Sequence, residues 1–382
     1  MGSGGEASLL YVSPVVPALT GNGLAMRAAH VLLALARSYR VSLLVAVRYG
    51  SPAGGTVPAE IAAHCREVVV VSAQEAQHST VVFRDAPFDV VHVFRLAAVS
   101  AAQPYFECEP PPRRHLDLDD VESTTRLRIA ALYRRHGDRR RAREEEAAAT
   151  AAEAAEATVL PLFDRIYVCA DGDVVRLPWS VRSRVTVLPN ALPAPAPPPP
   201  PPIADTVALL FVGTLDYFPN ADGIAWFVKE VLPALRKRSA RRIAVRIVGI
   251  GSSPLVTGLA ARPGVELVGY VPDVREWYAR CQIVVVPIRA GGGTRIKVLE
   301  AFSLRRPVVA TPIGAEGIDA RHGEHLLLAD DPKAFADRCA RLVDHPDVGE
   351  RLAANAFALF SARYTLEAMA TIVAAAPVPR LR

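Results

Sequence analysis

Short aliphatic and β-branched runs recur along this chain, each followed by a turn and a segment with apolar residues at helical spacing. The first run, SLLYVS at 8–13, leads through the loop PVVPALTGNG at 14–23 into residues 24–39. There Leu24, Ala28, Val31, Leu32 and Leu35 fall on one side. A second run follows at 41–47. Continuous apolar runs predict strands buried on both faces, and apolar positions three and four apart predict helices packed on them. Strand, glycine loop, helix, strand is a βαβ unit of the Rossmann type. Further strands are expected at 68–72, 88–94, 115–123 with its loop, 163–170 and 185–188. The second half repeats the pattern, with strands expected at 207–213, 244–249, 265–270, 283–287, 308–310 and 326–328. Helices are expected at 124–158, 221–236, 274–280, 334–343, 348–360 and 364–376.

Between the halves, eight of the ten residues at 193–202 are proline, which neither a helix nor a central strand accepts. A semi-rigid spacer is expected there. The predicted organisation is an N-terminal domain at 7–192, a linker at 193–203, a second domain at 204–362 and a closing helical segment at 363–382. The fold class is α/β, with two Rossmann-like domains built on parallel sheets.

Composition narrows the function classes. At 382 residues with 51% hydrophobic content, the chain can bury two ordinary cores. The net charge of +5 suits a phosphorylated substrate or an anionic surface and is too small to imply nucleic acid. Five scattered cysteines contain no C-x-x-C pair, so no metal site, no disulfide framework and a reducing cytosolic compartment are expected. No charged-then-apolar leader follows Met1, MGSGGE reads as a flexible start, and no apolar run is long enough to span a bilayer.

The densest chemistry lies in RCQIVVVPIRAGGGTRIKVLEAFSLRRPVVATPIGAEG at 280–317. A buried strand runs into Gly291, Gly292 and Gly293, which let backbone approach a ligand, and Thr294 can cap the next helix. Arg295 and Lys297 stand at the helix start, where free N–H groups and the helix dipole suit phosphate. Glu300 follows one turn in, and residues 314–317 form a second glycine-bearing turn. A nucleoside diphosphate and its ribose fit this order of groups.

These residues resemble the sugar-nucleotide motif of the family-4 retaining glycosyltransferases, whose GT-B fold sets two Rossmann-like domains facing across a cleft. The segment EAFSLRRPVVAT at 300–311 carries the resemblance, which implies that Glu300 contacts the donor ribose. It also implies that Arg295 and Lys297 stabilise the leaving diphosphate, and that Gly213, Gly292, Gly293 and Thr294 line the donor site. The passage around Gly269, Tyr270 and Val271 matches the family's base-contacting segment. The loop with Gly21 and Gly23 matches a first-domain loop that reaches the diphosphate, with Arg27 one turn beyond as added charge or a solvated residue. The family's second glutamate, eight positions before Glu300, is Gly292 here, and Phe94 stands where many members carry a histidine. His92 reads as a core residue.

For the acceptor, Arg95, Asp119 and Asp120 stand at strand ends; Asp119 and Asp120 read equally well as caps of the following helix. Asp117-Leu118-Asp119 has the D-x-D form of a metal site in another glycosyltransferase fold, but the two-domain context argues for metal-independent chemistry. The six arginines between Arg134 and Arg143 read as a solvated helix face with i,i+4 pairs, or as a basic face for anionic membrane lipid. The resemblance therefore implies glycosyl transfer from a nucleotide-sugar donor to a glycan, lipid-linked or small-molecule acceptor, with no further cofactor. The rival reading, motivated by Gly292 and Phe94, is a non-catalytic nucleotide-sugar-binding or scaffold protein.

Overall fold

In the computed structural model, which describes residues 6–47, 55–78, 81–194 and 205–375, the chain divides into two units. The first draws on residues 1–124, 148–191 and 366–382, and the second on 125–147 and 192–365. The start at 1–5, the proline run from residue 195 to 204 and the last residues from 376 lie outside the described residues.

The first unit is a parallel sheet of β1 (Ser8–Ser13), β2 (Arg40–Val47), β3 (Cys65–Ser72), β4 (Val90–Phe94), β5 (Arg113–Asp119), β6 (Arg165–Val168) and β7 (Val185–Val187), in the order β3-β2-β1-β4-β5-β6-β7. Its core lies on both faces. Leu9 and Tyr11 pack with the helix Gly23–Leu35 on one side, while Leu10 and Val12 pack with the helix Val99–Phe106 on the other. Neighbouring residues of one strand are thus buried in opposite directions, which is why the run has no polar alternation. The helix Leu366–Ala374 joins the first face through Met369, Ala370 and Val373.

The second unit is also parallel: β8 (Thr206–Val212), β9 (Arg242–Val248), β10 (Val265–Gly269), β11 (Ile283–Val286), β12 (Val308–Ala310) and β13 (Leu327–Leu328), in the order β10-β9-β8-β11-β12-β13. Both sheets reverse direction of strand order beside their first strand. Open α/β sheets bind ligands outside the carboxyl ends of the strands at such a reversal.

Two helix expectations change. The helix expected at 221–236 starts earlier, at Phe218, and passes through a π turn at Phe227–Val231 before Leu232–Arg236. Pro233 has no N–H to return to the preceding turn, and the wider π turn accommodates it. The single helix expected at 124–158 is two, Glu122–Arg135 and Arg139–Val159. Gly137 breaks it at φ +76°, a left-handed conformation that closes a helix. The Asp138 carboxylate then accepts the Arg141 N–H at the second start. Within this hairpin Arg134 pairs with Glu146, Arg140 with Glu144 and Arg141 with Asp138, as in a solvated, internally paired face.

Candidate functional site

At the reversal of the second sheet, β8 ends in Gly213 and β11 runs through Pro287 into the glycine loop. Gly213 lies close against side chains of the site. A Cβ there would sit 2.9 Å from the Lys297 ammonium and 3.0 Å from the Asn220 amide. The adjoining Gly249, at the end of β9, is tighter still, since its Cβ would fall 1.8 Å from the Gly213 carbonyl oxygen.

Lys297 lies in the first turn of the helix Ile296–Ser303. Its Nζ donates to Asn220 Oδ1 at 2.7 Å and sits 4.6 Å from the centre of the Phe211 ring. The Asn220 amide is oriented by its own Nδ2, which donates to the Thr214 carbonyl at 2.9 Å. Part of the Lys297 side chain stays open, but its ammonium is packed by these groups. Burial, together with the nearby Arg295, pushes its pKa down to about 7 against the partial opposition of Glu300.

Arg295 is the N-cap residue of that helix, and its side chain makes no capping bond to the first turn. Thr294, expected to cap it, instead directs its hydroxyl to the Gly317 carbonyl at 3.5 Å. The Arg295 Nη1 donates to the carbonyls of Gly292 and Gly293. Its Nε and Nη2 are buried and have no hydrogen-bond partner. Nη2 lies beside Gly291, whose Cβ position is 3.1 Å from it and 3.4 Å from the Tyr217 hydroxyl. Buried donors of a charged group are costly to leave unpaired.

Glu300 is engaged on one oxygen: Tyr278 donates to Oε2 at 2.7 Å. Burial raises the Glu300 pKa, opposed by Tyr278 and Lys297. Arg306 holds Tyr278 from behind, its Nε donating to the Tyr278 carbonyl at 2.7 Å.

Three residues unforeseen in the sequence complete this edge. Arg128 donates from Nη1 to the Gly291 carbonyl at 2.9 Å and grips the Glu316 carboxylate with both Nη atoms. His136 Nε2 lies 2.6 Å from Asp222 Oδ1, and Asp222 also accepts two bonds from Arg289. Tyr133 stacks on Phe218 with ring centres 3.9 Å apart. Nothing local in the sequence marks these pairings, though Gly137 does signal the end of the helix that carries them. Gly269, Tyr270 and Val271 lie at the end of β10, where Tyr270 is 69% exposed.

The first unit's reversal is different. Arg27 is neither solvated nor free for a ligand: it is fully buried, 2.8 Å from Asp117, and also bonded to the Leu188 carbonyl and Asn190. Arg95 pairs with Asp120 and lies 3.6 Å from Asp119, which lies 3.6 Å from Arg27. Arg95 and Asp119 hold φ of 66° and 62°, uncommon for residues other than glycine. Burial raises the Asp119 pKa against Arg27 and Arg95. The Gly21 Cβ position is open, and Gly23 begins the helix that Asn22 caps. His92 and Phe94 are core residues; burial pushes His92 down to about 3.

Residues 206–345, the segment that carries this glycine loop and basic helix start, match the family model described as glycosyl transferases group 1. That match lies within the second unit. A Klebsiella pneumoniae protein described as an uncharacterized 44.6 kDa protein in the cps region is 29% identical over 41% of this chain and 42% of its own length. A D-inositol 3-phosphate glycosyltransferase of Thermomonospora curvata is 31% identical over 40% of this chain and 38% of its own. The matches therefore span about two fifths of these curated relatives. Among solved structures, Anabaena HepE in complex with UDP and glucose has a TM-score of 0.67 at 14% identity, covering 97% of this chain and 98% of its own. Sucrose-phosphate synthase of Thermosynechococcus elongatus has 0.69 at 16%, covering 96% and 97%. At such identities the likeness is one of fold. Two parallel Rossmann-type sheets of this kind make the GT-B fold seen in group 1 glycosyl transferases.

Proposed function

We propose that this protein is a retaining glycosyltransferase that moves a sugar from a nucleotide-diphosphate donor to an acceptor hydroxyl. The observation that carries the proposal is the pair of buried, unpartnered Arg295 donors beside the helix start and Lys297. An anionic diphosphate supplies the acceptors they lack. Glu300, with Oε2 already held by Tyr278, has Oε1 for ribose hydroxyls.

The reaction breaks the bond between the anomeric carbon and the diphosphate oxygen and forms one from the acceptor oxygen on the same face. The acceptor's proton passes to the departing diphosphate. Arg295, Lys297 and the helix N-terminus meet the charge that grows on the leaving group, so their contribution is larger in the transition state than in the ground state. Gly213, Gly292, Gly293 and Thr294 form the surrounding wall, and the base is assigned to Gly269, Tyr270 and Val271. Acceptor contacts are assigned to Arg95, Asp119 and Asp120, and a diphosphate contact to the Gly21–Gly23 loop. No metal is required in this scheme.

The D-inositol 3-phosphate glycosyltransferases among the relatives support the reaction class, and HepE, solved with UDP-glucose, makes uridine the first base to try. The test is a thermal-shift series with UDP, GDP, ADP and UDP-glucose without added metal. One base should raise the unfolding temperature by mass action, and Glu300→Ala should shrink that rise. No shift from any nucleotide on the folded protein would sink the proposal. Binding without hydrolysis or transfer would instead favour the scaffold reading, to which Gly292 and the buried Phe94 lend support.

A further inference from the structure

We infer that Arg128 is the positioning residue that sets the conformation of the glycine loop and so presents Arg295 to its anion. The inference rests on the donor-site reading above, but its geometry stands apart from it.

The loop has little of its own to hold it. Gly291 and Gly293 adopt φ of +120° and +68°, conformations that glycine enters and leaves at small cost. Helix and strand hydrogen bonds end at Val286 and resume after Arg295. Beyond the Thr311 hydroxyl on the Ile288 carbonyl and the Thr294 hydroxyl on the Gly317 carbonyl, the loop is fixed by an external donor. Arg128 Nη1 takes the Gly291 carbonyl at 2.9 Å, and the same guanidinium grips Glu316 through both its oxygens, with Nη2–Oε1 at 3.0 Å. Gly291 follows β11 and Glu316 follows β12, and these strands are paired neighbours, Val285 with Val309. One planar fork therefore ties together the turns at the carboxyl ends of two adjacent strands. A lysine could hold one of these acceptors but not span both in a plane.

The consequence reaches Arg295 through the backbone. With the Gly291 carbonyl held by Arg128, the carbonyls of Gly292 and Gly293 turn to Arg295 Nη1. That bond occupies one edge of the guanidinium and leaves Nε and Nη2 without partners beside Gly291. A second tie works from the other end: Asp222 holds Arg289, two residues before Gly291, and is itself held by His136 of the same hairpin. Arg128 touches none of the diphosphate-facing atoms. It acts through the loop.

The test uses the 382-residue chain and two variants, Arg128→Ala and Arg128→Lys. Hydrogen exchange of the unliganded proteins is read in peptides covering 288–296 and 312–318, with peptides from β8 and β9 as the internal control. Arg128→Ala should speed exchange about tenfold or more in both turn peptides and leave the control unchanged; Arg128→Lys should recover part of the protection. UDP affinity, by calorimetry, should fall at least tenfold in Arg128→Ala, with Arg128→Lys between it and wild type. Unchanged exchange in both turn peptides of a folded Arg128→Ala protein overturns the inference, whatever the nucleotide result. Faster exchange with unchanged UDP affinity overturns the link to Arg295. Should wild type bind neither UDP nor GDP, the donor-site reading fails, while the exchange result still decides whether Arg128 holds the loop.

Discussion

The two units share a strand order and place a reversal beside their first strand, yet their charges are disposed in opposite ways at that edge. In the first, Arg27, Asp117, Asp119, Arg95 and Asp120 form a chain of pairs in which each arginine faces carboxylates. Burial opposes the charge of Arg27, but Asp117, Cys169 and Asp119 together more than offset it and raise its pKa. In the second, Arg295 and Lys297 stand near each other, with Glu300 the opposing carboxylate and two Arg295 donors unpaired. The difference teaches that topology places the edge and charge bookkeeping decides what it can take. At the first edge each arginine is paired with carboxylates of the same unit, and the buried Arg27–Asp117 pair serves the fold. At the second, Arg295 keeps two donors without a partner.

This comparison breaks first at Asp117. Asp117→Ala strands the fully buried Arg27 charge, and removing one partner of a buried pair costs about 3–5 kcal/mol. Equilibrium urea unfolding should show that loss, whereas Arg295→Ala should cost less, because it also removes two buried donors that already lack partners. Equal losses in the two variants would erase the contrast.

Next in size is Lys297→Ala. Removing a group that meets leaving-group charge should lower kcat by a factor on the order of 10²–10³ while the unfolding midpoint stays near wild type. Steady-state kinetics with the donor found by thermal shift would measure it, and turnover close to wild type would remove Lys297 from the mechanism.

The smallest effect sharpens the contrast through pH. Lys297 titrates near 7 in the folded chain against an ordinary 10.5. Between those values the unfolded chain carries a proton the folded one lacks, so this group's contribution to stability rises with pH across that window. A bound diphosphate restores the charge, so binding takes up a proton there. Affinity for UDP should fall as pH rises above about 7, by at most about tenfold per unit, because a single proton is linked. Calorimetry in buffers of different ionisation enthalpy would read the uptake directly, and Lys297→Arg should flatten the slope.

Local sequence determined the two Rossmann repeats and the phosphate-suited loop. Strands such as β1 and β11 are buried on both faces, so they must be continuously apolar, and that requirement is visible without partners. The glycines at 291–293 and the cations at 295 and 297 are close in the chain, so their meeting needs only one turn of helix. Gly137 marks a break that the single helix expected at 124–158 missed. The tertiary structure decided the rest. Arg27 meets Asp117 across 90 residues and Asn190 across 163, and Arg128 meets Glu316 across 188. A charge written in the sequence carries no sign of whether its partner is water, a ligand or a distant carboxylate. Only the packing that brings those segments together, and excludes water from around them, separates the arginine paired within the fold from the one whose donors lack partners.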